Sequence, residues 1–204
     1  MISERAQIVH SAARVSIGLL LALGLPSFAA TVPGIHNFDQ VDPHVYRGAQ
    51  PTEQGFEYLS HLGVKTVIDL REPGERSREE ERIVTGDGMK YVNVPMTGLT
   101  PPTDAEISKI LATLEDGATG PVFVHCRRGA DRTGAVIAAY HIDHDRWNNV
   151  RALRDAKAHK MSFIQHRREN FIENFQPRAV DAKSTSSAEL NPQNGSAATA
   201  PIAR

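Results

Sequence analysis

Between residues 45 and 175, short apolar runs alternate with stretches whose apolar residues recur at helical spacing. This is the pattern of strands alternating with helices. Val45-Tyr46-Arg47 reads as a short strand, followed by a turn from Gly48 to Pro51. Thr52 then caps a helix to about His61, with Phe56, Leu59 and Leu62 on one face and Gly63 at its C-cap. Residues 64–70 (VKTVIDL) are β-branched and apolar, which predicts a buried strand that Pro73-Gly74 closes off. The charged run 75–84 (ERSREEERIV) predicts a helix with a solvated face. Lys90 to Val94 is the next strand, and Pro95 stops it. Thr103 with Glu106 three residues on predicts a capping box, opening a helix with the stripe Ile107, Ile110, Leu111 and Leu114. Residues 121–125 (PVFVH) are continuously apolar, as a central strand covered on both faces would be. Helices are predicted over 133–144, 147–158 and 162–175, and residues 31–43 read as an irregular lead-in. The expectation is a single α/β domain: a central, twisted, mostly parallel sheet of four to five strands flanked by helices.

The two ends break this rhythm. Arg5 and Arg14, opposed only by Glu4, precede the apolar run 15–25 (VSIGLLLALGL) and a small-x-small pair at Ser27 and Ala29. Such a layout predicts a signal peptide over 1–29, cleaved after Ala29, and an exported, periplasmic or secreted protein. The apolar run falls short of the roughly 20 residues a membrane-crossing helix needs, so no span is expected after cleavage. From 177 to 204 Ser, Ala, Pro, Asn and Gly dominate, which predicts a disordered tail. The domain is thereby set at 30–176. With 204 residues, 40% hydrophobic, 23% charged and a net charge of -1, the chain suits one globular domain, expected as a monomer. Nothing in that charge favours nucleic acid as a partner.

Chemistry concentrates around the single cysteine, Cys126, which can form no internal disulfide. The segment 125–134 (HCRRGADRTG) joins the buried strand to an apolar helix. Amides at a helix N-terminus lack intrahelical partners and carry the positive end of the helix dipole, so a short loop entering that end can ring a phosphate. Gly129 permits the backbone such a ring demands. The same amides stabilise a thiolate at Cys126, the nucleophile. Arg132, six residues on, offers a planar fork to two phosphoryl oxygens. Thr133 is placed to hydrogen-bond the sulfur, and His125 to orient the loop and lower the thiol pKa further. A bare C-x5-R is a weak signal; here His before the Cys, Gly inside the loop, Thr-Gly after the Arg, and the strand and helix on either side make it specific.

This segment resembles the signature loop of the protein tyrosine phosphatase superfamily. Together with residues 45–51 (VYRGAQP), 63–71 (GVKTVIDLR), 91–96 and Trp147, it makes the chain similar, over about 41–176, to the bacterial dual-specificity phosphatase-like group, related to the plant and fungal atypical dual-specificity phosphatases. The resemblance implies hydrolysis of phosphate monoesters through a phosphocysteine, with no metal and no cofactor. It maps the nucleophile to Cys126, the phosphate-binding arginine to Arg132, and the phosphate-binding loop to Arg127, Arg128, Gly129, Ala130, Asp131 and Arg132. The pattern departs at the general acid, which the family places on a loop roughly 30 residues before the cysteine; residues 94–100 (VPMTGLT) hold no carboxylate. Asp131, inside the loop, is the preferred replacement and Asp104 the second. Asp69 and Arg71 read mainly as structural, with Arg71 the better outer phosphate contact, and His141 and His144 as packing or surface histidines. The partner implied is a phosphorylated protein or a small polyanionic ester such as an inositol phosphate or phosphoinositide. Two alternatives stay open: a sulfurtransferase or arsenate reductase-type cysteine enzyme, and a phospho-ligand binding module with weak or no catalysis.

Overall fold

The computed structural model describes residues 32–178; the expected signal peptide and the tail beyond 178 lie outside the described residues. Two-residue β1 (Asp39–Gln40) leads into β2 (Val45–Ala49), α1 (Glu53–His61), β3 (Thr66–Asp69), α2 (Glu75–Gly86), β4 (Lys90–Asn93) and α3 (Asp104–Glu115). A 3-10 turn (Gly117–Thr119) precedes β5 (Val122–Cys126), after which come α4 (Asp131–Asp143), α5 (Asn149–Ala158) and α6 (His166–Asn174). The sheet order is β1-β2-β5-β3-β4, with β1 antiparallel to β2 and all other neighbours parallel. β5 is therefore central, and its C-terminal end carries Cys126. Among the described residues no helix is long and apolar enough to cross a membrane.

Alternation along the strands divides the core in two. Val122 and Val124 of β5 join Ile68, Ile110, Leu111, Val136 and Ile137 on the α3/α4 side. Phe123 joins Val67, Phe56, Leu59 and Val84 on the α1/α2 side. Each such buried side chain contributes roughly 1.5–3 kcal/mol, so the strand end that bears the cysteine is gripped from both faces. The same pleat sends Cys126 to the α3/α4 side and His125 to the α1/α2 side.

The caps follow the sequence. Thr52 accepts from Gly55 N, and Thr103 and Glu106 form the full capping box. Three local expectations need correcting. The lead-in contains β1, too short to show a period. Residues 162–165 form a turn before α6, because Ser162 N donates to Asp131 Oδ1 (2.8 Å) instead of starting a helix. The run 75–84 is not a purely solvated face: Ser77, Glu80 and Val84 form a buried stripe on α2.

Candidate active site

Parallel β5 ends at Cys126, and only four residues separate it from α4, so the loop is short and its shape is forced. Gly129 has φ +66, and a Cβ there would lie 2.3 Å from the Gly48 carbonyl carbon and 2.5 Å from Ala49 N. Only glycine fits so close a crossing of β2. Its carbonyl accepts from Asn37 Nδ2 (2.8 Å) and from Arg47 Nη2 (3.2 Å). Ala130 is the N-cap of α4, and no side chain caps that helix. Its first amides are therefore free to serve an anion.

Cys126 is 2% exposed. Burial pushes its thiol up. The Thr133 hydroxyl and amide, the Arg132 charge and the Arg128 amide outweigh that and bring the thiol below its ordinary value. Thr133 Oγ1 is buried without a hydrogen-bond partner, and the Cys126 sulfur is the group whose charge it favours. Arg132 is steadied from the sheet: its Nη1 donates to Leu70 O and to Met96 O, both at 3.2 Å. Beside the loop lies a hollow of about 430 Å3, walled by Arg71, Arg76, Arg127 and Arg132, the carboxylates Glu72 and Glu75, and the start of α2. Gly74, the N-cap of α2, provides no side-chain cap either, so a second helix N-terminus faces this space.

The structure thus brings Cys126, Arg127, Gly129, Ala130, Arg132 and Thr133 together around one loop. Arg128 turns away: its Nη2 donates to Lys160 O (3.3 Å), and its Nη1 lies 3.7 Å from Asp131 Oδ2. Asp131 is occupied by Arg128 on one oxygen and by the Ser162 amide on the other. That arrangement suits a strut of the loop better than a proton donor. Asp104 lines a different hollow, with Pro101, Arg167 and Phe171. Neither expected general acid lines the hollow beside Arg132; the carboxylates that do are Glu72 and Glu75.

Several supporting contacts were not legible beforehand. His125, wholly buried, meets Glu80 Oε1 at 2.6 Å through Nε2. Glu80 in turn bonds Arg71, which holds Asp69 through Nε (2.8 Å) and Nη2 (2.7 Å). Tyr91 donates to Asp69 Oδ2 (2.8 Å). The carboxylate and imidazole atoms of Asp69, Glu80 and His125 lie within 4.8 Å of one another, and Arg71 is the cation the two carboxylates share. On the other flank, buried Arg168 donates to Gly98 O (2.8 Å), Thr97 O (2.6 Å) and Gln165. It pins the stretch from which the expected acid is missing. The signal for Glu80 was its place three residues after Ser77 and four before Val84, on one helical stripe. For Arg47 it was a charge in the middle of a strand that must be buried. His141 stacks on Trp147 (3.8 Å, 4°) and bonds Asp145, in keeping with a packing histidine.

A cysteine with a lowered thiol pKa at the end of a central parallel strand, a glycine-shaped loop and an arginine in the first turn of the next helix define a cysteine phosphatase domain of the protein tyrosine phosphatase superfamily. More narrowly, residues 30–174 match the family described as DSP-PTPase phosphatase fused to NAD+ kinase, and the chain belongs to it. It is 31% identical over 132 residues to the dual specificity protein phosphatase TpbA of Pseudomonas aeruginosa, covering 64% of this chain and 57% of that one. It is 29% identical over 126 residues to a probable chloroplastic NAD kinase 2 of Oryza sativa subsp. japonica, covering 59% of this chain and 13% of that one. The crystal structure of the core catalytic domain of the PP-IP phosphatase SIW14 from S. cerevisiae superposes with a TM-score of 0.62 at 26% identity, over 72% of this chain and 89% of that one.

Proposed function

We propose that this chain hydrolyses phosphate monoesters through a phosphocysteine. The observation that carries the reading is the placement of Cys126 before the uncapped N-terminus of α4 and near an Arg132 held by the Leu70 and Met96 carbonyls, surroundings that bring its thiol down. The Cys126 sulfur attacks phosphorus, the P–O bond to the leaving group breaks, and the leaving oxygen takes a proton. Water then attacks the phosphocysteine, releasing inorganic phosphate and restoring the thiolate, with Thr133 Oγ1 donating to the departing sulfur. Arg132 and the loop amides hold the equatorial oxygens throughout. No step needs a metal or cofactor. Turnover of p-nitrophenyl phosphate is expected, and loss of it in Cys126→Ser; full activity in that variant would sink the reading.

For substrate, the hollow favours a compact polyanion over a flat phosphopeptide. Arg76, Arg127 and Arg132 line it together with Glu72, Glu75 and the Asp69- and Glu80-paired Arg71, and α2 presents its uncapped N-terminus there. The SIW14 and TpbA names divide along the same line, one a PP-IP phosphatase and the other a protein phosphatase. Arg127→Ala is expected to raise KM for an inositol polyphosphate while leaving KM for p-nitrophenyl phosphate nearly unchanged. An equal effect on both removes the polyanion preference. Comparing Glu72→Gln, Glu75→Gln, Asp131→Asn and Asp104→Asn on esters of rising leaving-group pKa assigns the proton donor: its loss steepens that dependence. Export with cleavage after Ala29, and a monomeric state, complete the reading; N-terminal sequencing and sedimentation of the mature protein test them.

A further inference from the structure

We propose that Glu80 is a positioning residue of the catalytic loop, holding His125 as an imidazolium whose second N–H fixes the Cys126 carbonyl. The inference rests on the phosphatase reading above and adds a residue that the loop motif does not contain. His125 and Cys126 point to opposite faces of β5, so His125 reaches the sulfur only through charge and backbone.

Geometry dictates the protonation. His125 Nε2 lies 2.6 Å from Glu80 Oε1, and Nδ1 lies 3.4 Å from Cys126 O. Both partners are acceptors, and a neutral imidazole carries only one N–H. The neutral ring would turn a lone pair on one of the two acceptors in a fully buried place, a costly arrangement. With both nitrogens protonated, every contact is a donor facing an acceptor. The groups facing the ring make the charge affordable. Glu80 comes from α2, Asp69 from β3 (Oδ1 at 4.0 Å) and Arg71 from the end of β3; Tyr91 from β4 donates to Asp69, and the other flat neighbour is the uncharged Phe123 ring at 5.5 Å. Two carboxylates balance one guanidinium and one imidazolium, a closed set of four charges. Burial opposes the cation, but Glu80 and Asp69 outweigh it and raise the ring's pKa.

Function follows from the carbonyl. With Cys126 O tied toward the α1/α2 side, the peptide that follows turns its amide to the other side, where the sulfur and the loop amides gather. Glu80 also belongs to the helix whose first turn lines the hollow, so the same side chain couples that wall to the loop.

The test uses the full chain carrying Glu80→Gln, with exposed Glu79→Gln as control. Gln keeps an acceptor for His125 but removes the charge. The expected result is that the midpoint of iodoacetamide alkylation of Cys126, and the acid limb of kcat/KM on p-nitrophenyl phosphate, move up by about one pH unit. That is a roughly tenfold loss on the acid side, with the control unmoved. In wild type, nitrogen NMR should find both His125 nitrogens still protonated at a pH where an ordinary imidazole has lost its second proton. A folded Glu80→Gln with unshifted alkylation overturns the proposal, as does a neutral His125 in wild type, which is readable even if the variant fails to fold. Alkylation and NMR need no turnover, so an inactive wild type would count against the phosphatase reading and not against this one.

Discussion

Arg71 and Arg47 are both buried and both serve the catalytic loop, yet burial acts on them with opposite outcomes. For Arg71, the bonds and charges of Asp69 and Glu80 overcome burial and raise its pKa. For Arg47, burial wins over Asp155 (3.4 Å) and Asp39, and the guanidinium is lowered to about 10. Arg168, on the Arg47 side, is lowered in the same way, by burial and then by the Arg132 charge. The β3/α2 flank is a closed set of alternating charges. On the β2/α5/α6 flank the arginines act chiefly as clamps on backbone carbonyls: Gly129 O for Arg47, Thr97 O and Gly98 O for Arg168. Each leaves its Nε–H buried without an acceptor, a loss of about 1–3 kcal/mol that an arrangement built for stability alone would avoid. One flank closes its charges on one another around His125; the other chiefly holds the loop's shape, although its two arginines also feel the Cys126 charge.

If that division is real, shape changes must damage folding more than they move the pH profile. The largest effect is expected at Gly129, where the loop crosses β2. Gly129→Ala places a Cβ 2.3 Å from the Gly48 carbonyl carbon at φ +66. A destabilisation of at least ~3 kcal/mol is expected, measured by urea unfolding, together with loss of p-nitrophenyl phosphate turnover. A stable, active Gly129→Ala would mean the loop is not shaped by this crossing. Next is Arg168→Met, which strands the Thr97 and Gly98 carbonyls. About 2–3 kcal/mol of stability should go, with a lower kcat, while the Cys126 alkylation midpoint moves less than in Glu80→Gln. A larger shift in Arg168→Met than in Glu80→Gln would dissolve the contrast between the flanks.

The sheet, the loop and the place of Cys126 at the loop's start were readable because their signals are local. A β-branched run, a capping pair and a C-x5-R inside HCRRGADRTG each depend on neighbours in sequence. The supports were not readable, because they are joined across long separations: Glu80 to His125, Arg168 to Gly98, Asn37 to Gly129. A charge run such as 75–84 looks solvated until the fold shows which residue of each turn faces inward. Asp131 illustrates the reverse. Its place beside Arg132 suggested proton transfer, but the turn at 162–165, missed in the sequence, brings the Ser162 amide onto it.

The smallest effect tests the clamp flank from its rim, at His159. Its backbone carbonyl accepts from Asn37 Nδ2 (3.1 Å), and its ring joins Asp155 (3.3 Å) to Asp39 (2.9 Å). The bond to Asp155 raises the His159 pKa. A raised histidine contributes stability that is fully present below its unfolded value of about 6.5 and fades as pH rises through the folded value. Asp155 is shifted the other way: burial raises it, but His159 and Arg47 outweigh that and lower it. Its contribution is present above about 3.9 and fades as pH falls through its folded value. The two windows overlap between roughly pH 4 and 6.5. His159→Asn should therefore cost the most there, ~0.5–1 kcal/mol for a partly exposed pair, and progressively less toward alkaline pH. Because Asn37 bonds the His159 backbone and not its ring, the loop should keep its shape and the acid limb of kcat/KM its position. A cost that grows above pH 7, or a moved acid limb, would show that protonation on this flank also reaches the sulfur, and the separation into a charge side and a shape side would fail.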